Sequence, residues 1–288
     1  MIKLGFISPR NRIRASGRRI VRGTLNRPDV QVLRLQRKIE VLESLVDLAS
    51  REHAWKAEFV EALTPYQFSE VPLERIGSIH DGGYILPFGV ETSVRGVVSV
   101  GVGSNVDADV VLAERGLRVH AWDHTVPGLP KNHANITFHE IGLGEDAPSL
   151  LPLEALTAGS FGSDAEHLVL MLDAEGAEWK ALAQATDETL QRFGVVAVEL
   201  HDMGNLILDP GLQISVLQRL YSLFVPVAVH INNHAAQWVL PGLVLPDALE
   251  VTYVNRRRLQ SKGLAGNAPS ELFSPCCPDL DEAFPSWI

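Results

Sequence analysis

Apolar and polar residues follow the periods of strands and helices over most of the chain. Seven short apolar runs have the length of buried strands: 97–100, 118–122, 136–141, 167–172, 195–200, 227–231 and 249–254. Helical spacing appears between runs, at 106–115, after 173 and at about 212–224. Strands separated by helices pair in parallel and are covered on both faces. The pattern predicts an α/β fold with a doubly wound, mostly parallel, Rossmann-like sheet.

A different period occupies the region before this sheet. Apolar residues recur at 3-4-3-4-3 spacing over residues 32–49, which places them on one seam of a helix. The seam is under three heptads long, too short for an independent coiled coil. It is expected either to pair within a homo-oligomer or to pack on the main domain. We therefore predict a helical, oligomerising segment at 30–63.

Charge divides the chain more sharply than its net value of -10 suggests. Residues 1–38 carry eleven Lys or Arg and one acid, whereas the remaining residues carry 14 bases and 34 acids. The main domain is therefore not expected to bind nucleic acid through a basic face. The arm at 1–29 is expected to meet an anionic membrane surface, nucleic acid or an acidic partner, or to be a solvated tail.

Cysteine content and hydropathy indicate the compartment. Cys276 and Cys277 are the two cysteines and are adjacent, so they are too few for a disulfide framework or a metal centre and are expected to be structural. No apolar run approaches about 18 residues, the length of a spanning helix. We predict a cytoplasmic protein. The basic arm could place it at the surface of a membrane. An α/β domain at 64–256 and an irregular tail at 257–288 complete the organisation.

A glycine turn follows the first predicted strand. Gly101 and Gly103 let the backbone approach a ligand closely, and Asp123 lies 22 positions beyond Gly101, after the second strand. An acid at this spacing is suited to the two hydroxyls of a ribose. Ligands of such sheets bind beyond the carboxyl ends of the strands. The sequence therefore predicts a cofactor that contains a nucleoside.

The turn also favours one cofactor over another. Dinucleotide-binding turns favour a third glycine where this chain has Val106. No tyrosine is followed four residues later by lysine, the pair that short-chain reductases and epimerases need. S-adenosylmethionine has no pyrophosphate and tolerates the looser turn. An NAD-dependent enzyme thus ranks third among the alternatives.

Several segments resemble one family. Residues 97–105 (VVSVGVGSN), 171–179 (MLDAEGAEW) and 196–201 (VAVELH) are similar to class I S-adenosylmethionine-dependent methyltransferases of the FkbM-like group. Residues 81–84 (DGGY), 230–233 (HINN) and 249–254 (LEVTYV) resemble the same group. The resemblance covers about residues 70–256, and the DAEGAE segment is its most specific part.

The resemblance implies a set of cofactor contacts. Gly101, Gly103 and Asn105 would line the methionine end, Asp123 would hold the ribose, and Gly142 and Leu143 would lie near the adenine. Further cofactor-binding residues are expected at Asp81, Gly82, Gly83 and Asp173. Two positions depart from the wider superfamily: Ser99 replaces the usual acid two residues before the first glycine, and Asn105 replaces a third glycine.

Methyl transfer to a hydroxyl needs a base, or a metal ion that lowers the hydroxyl pKa. Asp173, His201 and His230 come at the ends of consecutive strands and are the candidate catalytic residues. Asp173, His201 and Asp202 could instead hold Mg²⁺ or Mn²⁺. A metal-free base, His201 or His230, is favoured because histidine is a poor Mg²⁺ ligand. Each of these residues also has a structural interpretation. Glu175 is expected to face the site, and Glu199, in an apolar strand, to have a partner.

The sequence thus predicts an S-adenosylmethionine-dependent O-methyltransferase. The resemblance suggests the hydroxyl of a glycan, a lipid-linked sugar or a natural product as acceptor. The alternative from another class is a catalytically silent scaffold protein that keeps the fold and oligomerises through its helix. Fold alone does not decide between them.

Overall fold

The computed structural model describes residues 39, 55–240, 242–280 and 285–287. The chain divides into two compact units, Met1–Arg51 and Glu52–Ile288, and the fold below belongs to the second. The predicted arm at 1–29 lies outside the described residues, as does the seam at 32–49 apart from Ile39, which is helical and exposed. No helix among the described residues is long and apolar enough to cross a membrane.

The described elements alternate strands and helices over most of the chain. The strands are β1 (Tyr66–Gln67), β2 (Leu73–Gly77), β3 (Gly83–Pro87), β4 (Gly96–Val100), β5 (Arg118–Trp122), β6 (Ile136–His139), β7 (Gly142–Leu143), β8 (Leu150–Leu151), β9 (Leu168–Leu172), β10 (Phe193–Leu200), β11 (Phe224–Ile231), β12 (Gln237–Leu240), β13 (Leu243–Pro246), β14 (Leu249–Asn255) and β15 (Leu264–Ala265). The helices are α1 (residues 55–63), α2 (Asp107–Glu114), α3 (Leu153–Phe161), α4 (Glu178–Gln184), α5 (Asp187–Gln191), α6 (Asn205–Leu208) and α7 (Gly211–Leu223). Short 3-10 turns occupy Val90–Thr92, Arg256–Arg258 and Ser270–Leu272.

A central sheet of seven strands organises the fold, in the order β11-β14-β10-β9-β4-β5-β6. Its strands are parallel except β14, which pairs antiparallel with both β10 and β11. The predicted α/β class and mostly parallel sheet are confirmed, and the sheet is compatible with a Rossmann-like fold. The reversed direction of β14 was not predicted, because the apolar pattern of a strand does not encode its direction.

Successive residues of each central strand enter opposite cores, since side chains alternate across a strand. Val98 and Val100 join the larger core, which α1, α3, α4 and α7 cover. Val97 joins the smaller core beneath α2 and the β2–β3 hairpin. Helices therefore cover both faces of the sheet, as the sequence predicts. The carboxyl edge of the parallel strands is the edge at which such sheets bind ligands.

Turns connect this framework to two hairpins that the sequence did not predict, β2–β3 and β12–β13. A tight turn at Asp81-Gly82-Gly83 joins β2 to β3, and Gly82 has a φ of 79° there. A left-handed φ of this kind costs glycine little. The tail after Asn255 is largely irregular, apart from β15 and two 3-10 turns in its described part.

Candidate functional site

A cavity of about 350 Å³ opens at the carboxyl ends of β4, β5 and β9. This is the crevice in which open α/β sheets bind ligands. The sequence-predicted cofactor residues that line it are Asp81, Gly82, Gly101, Gly103, Asn105, Asp123, Gly142, Leu143 and Asp173. Gly83 does not line the cavity. It lies in β3, where a Cβ would meet the Ser78 carbonyl oxygen at 1.9 Å, so its role is structural.

The two glycines after β4 have different surroundings. At Gly101, with a φ of 79°, a Cβ would lie 1.5 Å from the carbonyl oxygen of Asp173. The Asp173 N–H in turn donates to the Val100 carbonyl at 2.9 Å, so the ends of β4 and β9 are joined here. At Gly103 a Cβ would meet nothing within 4 Å, because that glycine borders the open cavity.

Asp123 fixes the turn and faces the same cavity. Its carboxylate accepts from the Gly103 N–H at 2.8 Å, the Thr125 N–H at 2.7 Å and the Thr125 hydroxyl at 2.6 Å. Burial raises the pKa of Asp123, but these hydrogen bonds outweigh it and hold the pKa below its ordinary value. A carboxylate has about four acceptor positions, so one remains for a ligand hydroxyl.

Asn105 connects the first hairpin to α2. Its side-chain amide donates to the Asp81 carbonyl at 2.7 Å and its side-chain oxygen accepts from the Asp107 N–H at 3.0 Å. Gly82 must lack a side chain here, because a Cβ would lie 2.3 Å from the Asn105 amide nitrogen. Across the cavity, a Cβ on Gly142 would meet the His124 ring at 2.1 Å. The walls are therefore closely packed on both sides.

Asp109, on α2, is a cavity residue that sequence reasoning missed. It is 3% exposed, and its Oδ1 atom has no hydrogen-bond partner among the described residues. Burial raises the pKa of Asp109 to about 6, although a hydrogen bond with Ser99 opposes the rise. Ser99 is the position at which the family resemblance expects an acid. The available signal was an acid on the helix face that also carries the buried Ala108 and Leu112.

The cavity has a strongly acidic wall. Its described lining contains five carboxyl groups and no Lys or Arg, the five being Asp81, Asp109, Asp123, Asp173 and Glu175. Fields of like charges in a cleft add, and its low-dielectric walls focus them. The site therefore favours a ligand with cationic groups and disfavours one with phosphates.

Beside the cavity, His201 lies at the carboxyl end of β10 within a cluster of acids. Its backbone N–H and Nδ1 contact Glu178 Oε1 at 2.7 and 3.1 Å. Its Nε2 faces carboxylate oxygens of Glu199, Glu175 and Asp173 at 3.5, 3.7 and 3.8 Å. Burial alone would lower the pKa of His201, but the Glu178 hydrogen bond and the other acids raise it to about 9. The ring is thus protonated at neutral pH.

Asp173 belongs to both the cavity and this cluster. Burial is the main cause that raises the pKa of Asp173 to about 7. The nearby His201 lowers this pKa, whereas the charges of Glu175, Asp81 and Glu178 raise it. Its Oδ1 has no hydrogen-bond partner among the described residues. A general base works best when its pKa lies near the working pH. Asp173, rather than His201, therefore has the properties of a base near neutrality.

The other predicted catalytic and metal residues lie elsewhere. His230 is outside the lining of the cavity, and its Nδ1 contacts Glu250 Oε2 at 2.7 Å. Asp173, Glu199 and His201 form one group of possible metal ligands. Asp202, which was predicted to be a ligand, is not in this group. Glu199 has the partner that its apolar strand predicted, because Asn232 donates to its carboxylate at 2.8 Å. Burial raises the pKa of Glu199 to about 8.

Glu178 is a further residue that sequence reasoning left unassigned. It is fully buried, and besides His201 it accepts from the Gly176 N–H at 2.9 Å. Glu175, which was expected to face the site, lines the cavity. The two acids are one helical turn apart in sequence, so only their burial distinguishes them.

Comparison with known proteins adds no assignment. No protein-family model matches the chain, and no curated protein matches it at a significant level.

Proposed function

We propose that the protein is an S-adenosylmethionine-dependent O-methyltransferase that acts on a hydroxyl of a small molecule or glycan. The observation that carries this proposal is the acidic cavity at the Gly101–Gly103 turn, with Asp123 opposite. S-adenosylmethionine brings two cationic groups, a sulfonium and an ammonium, against one carboxylate, and it has no phosphate. A dinucleotide brings a pyrophosphate, for which the described lining offers neither Lys nor Arg. The charge of the wall thus supports the first cofactor over NAD.

The residues of the cavity fit the parts of this cofactor. Asp123 would hold the ribose, Gly142 and Leu143 would border the adenine, and Gly103 leaves open space for close approach of the ligand. Asp109, which lines the cavity, would pair with the ammonium in place of the acid missing at Ser99. A mostly parallel sheet with one antiparallel strand beside its edge strand also agrees with the class I methyltransferase type.

The chain's own contribution to the reaction is position and proton transfer. Bound S-adenosylmethionine would supply an electrophilic methyl group on its sulfonium. Asp173, which lines the cavity, would take the proton of the acceptor hydroxyl. The His201 imidazolium, held by Glu178, keeps part of the Asp173 population ionised near neutral pH. Aligning the two reactants accounts for the remainder of the rate enhancement.

The rival function, a silent scaffold, gives no reason for two acids with raised pKa values on one cavity wall. Burying a carboxyl group costs free energy unless hydrogen bonds or charges compensate it. Asp109 and Asp173 both line the cavity, and burial raises the pKa of each. Such groups are concentrated at functional sites, which supports the enzyme over the scaffold.

Replacing Asp109 with Asn tests the ammonium subsite. The variant should bind S-adenosylhomocysteine about 10–100-fold more weakly, because a charge-assisted hydrogen bond is lost. Its affinity for 5′-methylthioadenosine, which has the same nucleoside but no ammonium, should hardly change. Calorimetric titration of both ligands measures the difference.

Asp107→Asn is the matched control for that experiment. Asp107 lies two residues earlier on α2, is exposed, and pairs with Lys131. It should leave both affinities unchanged. If Asp109→Asn lowered the affinity for both ligands equally, or for neither, Asp109 would not contact the ammonium.

A further inference from the structure

A row of ionisable side chains crosses three neighbouring strands beside the His201 cluster. Glu199 of β10 stands directly opposite Glu250 of β14, and Glu250 stands directly opposite His230 of β11. All three are largely buried. Like charges directly opposite one another destabilise a sheet, and burying a carboxylate is costly without compensation. A cation beside Glu199 and Glu250 would therefore stabilise their ionised forms.

The C-terminal tail places a thiol over this row. Cys276 is 6% exposed, and its Sγ lies 3.5 Å from Glu250 Oε1 and 3.9 Å from His230 Nδ1. The backbone fixes the thiol from both sides. The Cys276 carbonyl accepts from the Asp81 N–H at 3.4 Å, and the Cys277 N–H donates to the Asn233 side chain at 2.8 Å.

These three donors have the chemistry of a zinc site, and two of their three separations have its spacing. His230 Nδ1 and Glu250 Oε2 lie closer, at 2.7 Å, because they share a hydrogen bond that the ion would replace. Zinc binds thiolate, imidazole and carboxylate, at about 2.3 Å from sulfur and about 2.0–2.1 Å from nitrogen. A tetrahedral ion with those bond lengths holds its sulfur and nitrogen ligands about 3.5 Å apart. The observed separations of Cys276 Sγ from Glu250 and His230, 3.5 and 3.9 Å, are close to this value.

Room for a fourth ligand exists beside the cluster. A cavity of about 10 Å³ borders His230, Glu250 and Tyr84. This is about the smallest volume that holds one water molecule.

We propose that Cys276, His230 and Glu250 form a zinc site, with water as the fourth ligand. Two cysteines are too few for a metal centre by themselves, but the fold supplies the other ligands from β11 and β14. On binding, the thiol proton leaves for solvent, and the proton between His230 Nδ1 and Glu250 Oε2 moves to Nε2 or to solvent. The dication then compensates the charges of the thiolate and of Glu250. The ion also ties the tail to the loop at Asp81, which lines the large cavity. The inference does not depend on the proposed methyl transfer.

Cobalt titration of the metal-stripped full chain tests the site directly. One equivalent of Co²⁺ should give the visible bands of tetrahedral coordination and a near-ultraviolet thiolate-to-cobalt charge-transfer band, and Zn²⁺ should displace both. Cys276→Ser should abolish the charge-transfer band and weaken binding more than about 100-fold, since even outer-shell changes cost 10–100-fold. His230→Gln should weaken binding similarly while retaining the charge-transfer band at saturating cobalt.

Cys277→Ser is the matched control, because it removes the neighbouring thiol, which lies outside the cluster. It should bind cobalt as the unaltered chain does. The proposal is overturned if the unaltered chain gives no charge-transfer band at millimolar Co²⁺, or if Cys276→Ser and Cys277→Ser behave alike. Circular dichroism of each variant, measured first without metal, ensures that only folded chains are compared.

Discussion

Replacing Asp173 with Asn is expected to lower kcat by about 10²–10⁴-fold, the usual contribution of a general base. The amide keeps the size of the side chain but cannot take the acceptor proton. S-adenosylhomocysteine should still bind, because the Asp123 and glycine contacts are untouched. Single-turnover rates and calorimetry on the same preparation separate the two effects.

The pH profile identifies the base. Because the pKa of Asp173 is raised to about 7, its carboxylate is mostly protonated below that pH and ionised above it. Turnover should therefore rise with pH and level off above about 7. If His201 were the base, the rise would come near its own pKa of about 9.

Two variants sharpen this test of Asp173. Removing the charge of His201 in His201→Gln should move the rise to higher pH, because His201 lowers the pKa of Asp173. Asp202→Asn changes the adjacent acid that is not in the Asp173 group, and it should leave the profile in place. A His201→Gln profile that rises at the original pH would show that Asp173 is not the titrating base.

Chelation distinguishes the base from a metal-assisted mechanism. Turnover should survive a chelator if Asp173 acts alone. If the chelator abolished turnover and Mg²⁺ or Mn²⁺ restored it, Asp173, Glu199 and His201 would be the leading metal ligands. Restoration by Zn²⁺ alone would report on the Cys276 site.

Asp123→Ala should weaken S-adenosylhomocysteine binding about 30–150-fold. The variant loses the charge-assisted hydrogen bond that Asp123 can still accept from a ribose hydroxyl, worth roughly 2–3 kcal/mol. It also loses the hydrogen bond that Asp123 accepts from the Gly103 N–H. Part of the loss of affinity would therefore come from a change in the Gly101–Gly103 turn. Affinity equal to that of the unaltered chain would remove Asp123 from the cofactor site.

Thr125→Val separates these two contributions. It removes the hydroxyl that donates to Asp123 at 2.6 Å but keeps the carboxylate and the β-branched shape. Affinity should fall far less than in Asp123→Ala. Equal losses in the two variants would assign the effect to the order of the loop rather than to a ribose contact.

The fold was predictable where a local pattern decides it. Each apolar run from 97–100 to 249–254 became a strand of the central sheet, because its length and flanking turns have one structural solution. The order of the strands and the antiparallel β14 depend on pairing between distant segments. The hairpin β2–β3 was not predicted, since prolines and glycines interrupt the apolar pattern in this region.

The site was predictable at strand ends and less so away from them. Gly101, Gly103 and Asp123 follow strands directly, so the carboxyl edge brings them together. Asp109 and Glu178 lie on helices, and their roles depend on which helix face is buried. The charge of His201 depends on Glu178, 23 positions away, and on carboxylates from other segments. A sequence pattern shows that a histidine ends a strand, not which acids surround it.

Calorimetric titration of the full chain with S-adenosylhomocysteine and NAD, side by side, tests the central claim most directly. The acidic cavity predicts one S-adenosylhomocysteine per chain and no measurable heat from NAD at the same concentrations. Binding of NAD would contradict the account, because the pyrophosphate would then tolerate a wall of carboxylates. Binding of neither ligand would also contradict it and would favour the silent scaffold.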